Sequence, residues 1–189
     1  MKKLFLFLLI AFYTIEIYAN DNIVIVLDNS GSMDADFNGQ TRMSAAKNTL
    51  NLVLQSFDDT ANIGLLAINP VVLEGKRTNW IFPIGPIEKN KISNYVDVLQ
   101  ASGGTPLGAF LKIGTDSLLE LREKQKYGSY RLIVITDGEA GDNNLVEAYV
   151  PDIMRRGIRF DVIGVGLKNH TLSKKVSSYR SADNPKALT

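Results

Sequence analysis

Apolar positions in this chain follow two rhythms. Residues 23–27 (Ile-Val-Ile-Val-Leu) form an unbroken β-branched and aliphatic run, residues 132–135 and 160–165 repeat it, and residues 63–68 lie between. Runs this short, without polar alternation, predict strands buried on both faces of a parallel sheet. Elsewhere the spacing lengthens to three and four residues. Met43, Ala46, Leu50, Val53, Leu54 and Phe57 share one helical face, and Leu107, Phe110, Leu111, Leu118 and Leu121 share another. Leu145, Val146, Tyr149, Ile153 and Met154 predict a third helix with Pro151 as a candidate kink, and residues 92–99 predict a shorter one.

Strands alternating with helices predict a doubly wound α/β domain, a mostly parallel central β-sheet with helices on both faces. Residues 79–86, with the Trp80/Phe82 alternation, Gly85 and two prolines, read as an edge strand running into a turn. No repeat or low-complexity linker divides the chain after residue 19, so one domain over residues 20–189 is expected. A length of 189 residues, 45% hydrophobic and 22% charged, agrees with that. In open sheets of this kind ligands sit at the carboxyl ends of the strands.

The opening residues belong to neither rhythm. Lys2 and Lys3 precede an apolar stretch over residues 4–13, and Ala19 supplies a small residue before Asn20, the layout of a secretory signal peptide over residues 1–19. The uncharged run ends at Glu16, short of the roughly 20 residues a spanning helix needs, which disfavours a retained anchor. An exported protein, periplasmic or extracellular and bacterial, is expected, with no integral span in the mature chain. With Lys2, Lys3 and Glu16 removed, the 21 basic and 20 acidic side chains come into balance, leaving no electrostatic case for nucleic acid. The absence of cysteine excludes disulfides, a thiolate metal site and lipid attachment through a thiol.

Three polar segments fall where ligands are expected: Asp28-Asn29-Ser30-Gly31-Ser32 after the first strand, Gly103-Gly104-Thr105-Pro106 before a helix, and Thr136-Asp137-Gly138-Glu139 after a later strand. Alternate residues of the first can aim Asp28, Ser30 and Ser32 at one point, with Gly31 expected to relieve crowding in the turn. Hard oxygens at short range suit a hard cation, and Mg²⁺ takes six in octahedral array, keeping waters where protein does not reach. Taken alone, the first segment is equally a polar turn after a strand. Thr105, just before Pro106, reads on its own as a helix N-cap.

The same residues resemble the metal-ion-dependent adhesion site of a von Willebrand factor A domain, a Rossmann-like fold. The D-x-S-x-S motif falls on Asp28, Ser30 and Ser32, the threonine on Thr105 within Gly-Gly-Thr-Pro-Leu-Gly, and the distal aspartate on Asp137 within Thr-Asp-Gly-Glu. Order and context match over essentially the whole chain after residue 19. The resemblance implies Mg²⁺ or Mn²⁺ as cofactor, met directly by Ser30, Ser32 and Thr105 and through waters by Asp28 and Asp137. It also implies a protein partner that presents an acidic side chain, since little direct anionic charge leaves the ion electrophilic. An adhesion or assembly module follows from it rather than an enzyme.

Two other readings use the same residues. A secreted serine hydrolase would take Ser30, Asp137 and His170 in chain order, yet neither a Gly-x-Ser-x-Gly elbow nor an Asp-x-x-His ending is present. A structural subunit of an envelope complex would use the ion only to stabilise its fold. An EF-hand loop beginning at Asp28 and continuing through Asp34 and Asp36 fails in register, with Met33 where glycine is needed and Gly39 where glutamate is. Around the site, residues 34–41 are expected to form a rim that shapes partner choice. Glu139 and Asp142 read as acidic residues favoured by a helix N-terminus, and Arg155, Arg156 and Arg159 as a helix C-terminus ahead of Gly157.

Overall fold

The protein is described by a computed structural model over residues 20–138, 140–166 and 176–182. Eight strands and four α-helices follow in the order β1 (Asn20–Leu27), β2 (Asp36–Phe37), β3 (Gln40–Thr41), α1 (Arg42–Gln55), β4 (Asn62–Leu73), β5 (Lys76–Pro86), α2 (Lys89–Asp97), α3 (Leu107–Lys124), β6 (Gly128–Thr136), α4 (Asn143–Arg155), β7 (Arg159–Gly164) and β8 (Ser178–Ser181). Six of the strands form one sheet in the order β5-β4-β1-β6-β7-β8. All neighbours in it run parallel except β5, which pairs antiparallel with β4 at the edge.

The alternation of faces along β1 explains the two helix layers. Ile23, Ile25 and Leu27 pack with Leu50, Leu54, Ile92 and Val96 of α1 and α2. Val24 and Val26 point the other way, onto Leu107, Leu111, Val146 and Val150 of α3 and α4. Fully burying one such aliphatic side chain contributes about 1.5–3 kcal/mol, so this central strand is fixed by both layers at once. Gly108 lets α3 approach α4, because a Cβ there would lie 2.6 Å from the Leu145 Cβ and 2.8 Å from the Val146 nitrogen.

From β1 the chain moves to β4 on one side of the sheet, and it returns later to lay β6 on the other. The crevice between β1 and β6 is therefore the point where winding reverses, the usual ligand position in such sheets. Register sets what meets there. Leu27 pairs with Ile135 of β6 and Ala67 of β4, which places Asp28 beside Thr136 and Asn29 beside Asn69.

The expected strands and helices are present, with differences at their ends. The run expected over residues 63–68 continues to Leu73 and turns at Glu74 and Gly75, both at positive φ (51° and 77°), into a hairpin with β5. That hairpin reaches past the last β1 pair, at Ala67, so it overhangs the ligand edge. Pro151 lies inside α4, which continues through it to Arg155. Among the described residues no helix is long and apolar enough to cross a membrane. The expected leader over residues 1–19 lies outside the described residues.

Replacing Gly108 with alanine tests the close helix contact. The new methyl meets backbone that no rotamer change can clear, so overpacking of about 1–3 kcal/mol outweighs the roughly 1 kcal/mol gain in helix propensity. Urea denaturation of Gly108→Ala should show a lower midpoint with an unchanged slope.

Candidate functional site

Asp28 follows directly from a strand with no exposed face, and it is itself fully buried. Its backbone N–H donates to the Ile135 carbonyl at 2.8 Å, extending the β1–β6 ladder by one step. One carboxylate oxygen accepts the Ser30 backbone N–H at 2.8 Å, and the other accepts the Thr136 hydroxyl at 2.6 Å. No cation among the described residues pairs with it. Burial pushes the Asp28 carboxyl above its usual range, the bonds from Ser30 and Thr136 pull it down, and the like charge of Asp137 adds to the rise.

The first bond turns the chain so that Ser30 Oγ and Ser32 Oγ lie 3.0 Å apart. Ser32 Oγ in turn donates to Asp137 Oδ1 at 2.9 Å. Ser30 is buried and Ser32 is exposed, so the hydroxyl chain runs outward from beneath the edge. Gly31 is less needed than its position implies. A Cβ there would meet only the Gly103 carbonyl, at an ordinary 3.5 Å. Glycine is required at Gly103 instead, where φ is 75° and a Cβ would fall 2.4 Å from the Asn69 Oδ1.

The loop carrying Thr105 is tied in through its backbone. Gly31 N–H donates to the Gly103 carbonyl at 3.0 Å, Ser102 N–H to the Asn29 carbonyl at 2.8 Å, and Gly141 N–H to the Thr105 carbonyl at 2.8 Å. Thr105 does not cap α3 as expected. The N-cap position is Pro106, which has no side-chain oxygen to offer, and the helix begins at Leu107. Asp142 supplies the cap from another segment, its two oxygens accepting the Gly108 and Ala109 N–H groups at 2.8 and 2.9 Å. It is thus drawn to a helix N-terminus, though to that of α3 rather than of α4, which it directly precedes. Thr105 itself is half-buried.

The structure therefore joins Ser30, Ser32 and Asp137 side chain to side chain, sets Asp28 beneath them, and holds Thr105 between the first and third loops. Glu139 and His170 lie outside the described residues. Residues 34–41 do rim the site, with Met33 buried, and β2 and β3 close in a tight hairpin through Asn38 and Gly39 at φ 53° and 81°. Arg155 and Arg156 end α4 as expected, both bonded to Asp152 at 2.5 and 2.6 Å, with Gly157 at φ 73°. Arg159 instead pairs with the buried Asp161 of β7.

Three residues carry the site without having stood out in the sequence. Asn29 is fully buried and reads the backbone of Asn69 twice, donating to its carbonyl at 3.1 Å and accepting its N–H at 2.8 Å. Asn69 passes the contact on, donating from Nδ2 to the Gly104 carbonyl at 2.8 Å. Arg42 donates from Nη1 to Asp137 Oδ2 at 2.9 Å, and the Asp137 side chain is only 1% exposed. A signal for Arg42 was available: it is the first residue of α1, where the helix dipole disfavours a cation unless an anion answers it.

A doubly wound α/β domain with hydroxyls and two carboxylates converging at its winding reversal defines the class of protein. The chain belongs to the von Willebrand factor type A domain family, which matches residues 22–186. It is similar in fold to the von Willebrand factor type A protein from Catenulispora acidiphila (TM-score 0.65, 20% identity, 90% of this chain and 40% of that one). A pilus adhesin, SpaC from Lactobacillus rhamnosus GG, is similar at TM-score 0.67 and 16% identity, over 92% of this chain and 30% of the adhesin. The manganese-loaded TRAP protein of Plasmodium vivax is similar at TM-score 0.63 and 18% identity, over 89% of this chain and 71% of that protein. The chain thus spans less than half the length of the first two. Comparison with curated proteins finds no match.

The buried Asp28 makes a prediction with a definite sign. Its folded-state pKa lies above the 3.8 of the free side chain, so its favourable contribution is complete below that value and is lost as pH rises through the folded-state value. Asp28→Asn, which keeps the shape and the bond from the Ser30 N–H while its amide N–H donates to a reoriented Thr136 hydroxyl, should raise the melting temperature of metal-free protein at pH 7, by roughly 2–4 °C per kcal/mol relieved. The gain should vanish at pH 3. Circular dichroism melts at the two pH values check it.

Proposed function

We propose that this domain is an exported protein-binding module that captures an acidic side chain of its partner through Mg²⁺ or Mn²⁺. Residues 1–19 act as the export leader and residues 20–189 as the binding domain. The observation that carries the reading is the pairing of a buried, uncompensated carboxylate, Asp28, with a chain of hydroxyls leading from Ser30 through Ser32 to Asp137. Buried charges are held by ion pairs or metals, and among the described residues no side-chain cation reaches Asp28. The donor set fits a hard divalent ion: two carboxylates and three hydroxyls, with no histidine or thiolate to favour a softer one. Among the described residues no three carboxylates or histidines converge, so the site is short of anionic charge.

In this reading Ser30, Ser32 and Thr105 hold the ion, while Asp28 and Asp137 orient its waters, as second-shell carboxylates do. A bound Mg²⁺ or Mn²⁺ supplies an electrophilic vertex that a partner's carboxylate completes. Asn29 and Asp142 hold the three loops at fixed spacing through backbone bonds. Two proteins of similar fold are a pilus adhesin and a manganese-loaded protein, and both properties are extended here to this chain. The hydrolase reading gains nothing from the geometry, because Ser30 is 1% exposed and its hydroxyl lies against that of Ser32.

Two measurements test the proposal. Mn²⁺ at a hundredfold excess over its Kd should raise the melting temperature by about 5–10 °C, and Asp137→Ala should abolish the shift. A pull-down from bacterial envelope extract should capture proteins with Mg²⁺ present and lose them with chelator or with Asp28→Ala. Capture of the same proteins in all three conditions would refute metal-dependent recognition.

A further inference from the structure

Asp137 is shared between two donors of different kinds. Oδ1 accepts the Ser32 hydroxyl at 2.9 Å, whereas Oδ2 faces the Arg42 guanidinium at 2.9 Å. The guanidinium is fixed there by more than this bond. Arg42 opens α1 directly after the N-cap Thr41, whose hydroxyl accepts the Ser44 N–H at 3.1 Å, and its Nε is buried without a hydrogen-bond partner among the described residues. Gly166, at φ +70°, makes room beside it, since a Cβ there would lie 3.3 Å from Nε and 3.2 Å from the Phe37 ring. A charged group left with an unsatisfied nitrogen, at the positive end of a helix dipole, is held by Asp137 against two local costs.

From this we infer that Arg42 is a built-in counter-cation that sets the charge of the metal-loaded site and so selects for an acidic partner. The inference rests on the metal-binding reading above. Asp28, Asp137 and Arg42 together carry one negative charge, and a divalent ion turns that into one positive charge. Without Arg42 the same two carboxylates would neutralise the ion completely. Arg42 therefore weakens the hold on the cation, by direct repulsion, and leaves the loaded site a positive charge that a carboxylate from outside must answer. Metal affinity is given up so that partner affinity gains.

The test uses Mn²⁺ and then acetate as the simplest carboxylate, on the full mature domain of wild type, Arg42→Gln and Arg42→Lys. Calorimetric titration should give Mn²⁺ binding about tenfold tighter in Arg42→Gln, the size expected when one unit charge is removed a few ångströms from a divalent ion near the surface. Arg42→Lys, which keeps the charge, should stay within about threefold of wild type. Water-proton relaxation of the Mn²⁺-loaded proteins should show weaker acetate binding to Arg42→Gln than to wild type. Metal-free Arg42→Gln should melt below wild type, with the larger rise on adding Mn²⁺ confirming that it folds. If Arg42→Gln binds Mn²⁺ no more tightly than wild type, or holds acetate equally well, Arg42 has no such role. If neither wild type nor either variant binds Mn²⁺, the metal-binding reading itself falls, which is a different result.

Discussion

A carboxylate placed at the end of a strand that has no exposed face must find hydrogen bonds without water, and the ligand edge is organised by how Asp28 does so. It takes the Ser30 N–H and the Thr136 hydroxyl, while its own N–H stays on the Ile135 carbonyl. The first of these bonds curls residues 28–32 so that two serine hydroxyls face one another. The second and third lock that curl to β6, and hence to Asp137. The two bonds to the carboxylate are ordinary in strength, at about 1.5–3 kcal/mol for a bond to a charged group, but removing either would strand a charge where solvent cannot reach it. The strand is buried by both helix layers, so the constraint cannot be relaxed by tilting the strand outward.

Much of this was legible in the chain because it follows from patterns of short range. Unbroken apolar runs announced β1, β6 and β7, and three- and four-residue spacing announced α1, α3 and α4. The polar segments after β1 and β6 and before α3 named Asp28, Ser30, Ser32, Thr105 and Asp137 as candidates. What escaped depends on distance in the chain. Asn29 looks like filler between Asp28 and Ser30 until the β1–β4 register sets it opposite Asn69. Thr105 has every local mark of an N-cap, and only the packing of α4 on α3 reveals that Asp142 has taken that place. The reach of β4 past residue 68 was hidden because its outer half alternates between solvent and neighbouring side chains, and Pro70 interrupts the apolar run.

The edge so assembled is stiff beneath and charged above. Backbone-directed bonds from Asn29, Asn69 and Asp142 fix the three loops without using any of the oxygens proposed to meet a cation. The Ser30 and Ser32 hydroxyls and the Asp137 carboxylate pair with one another and, at Asp137, with Arg42, so they can exchange partners at little cost. A polar network anchored by amides and completed by hydroxyls and one guanidinium is suited to accept a charged ligand with small movements.

The double use of Asp142 has a consequence for how such an edge can diverge. It follows Asp137 by a short loop and holds the first free amides of α3, so the distance between two of the three loops is measured by that loop. A single inserted residue between them would uncap α3 and shift the Thr105 loop together, whatever the inserted side chain. Among the described residues, length variation is better tolerated at the β2–β3 turn around Asn38 and at the hairpin tip around Glu74, both exposed.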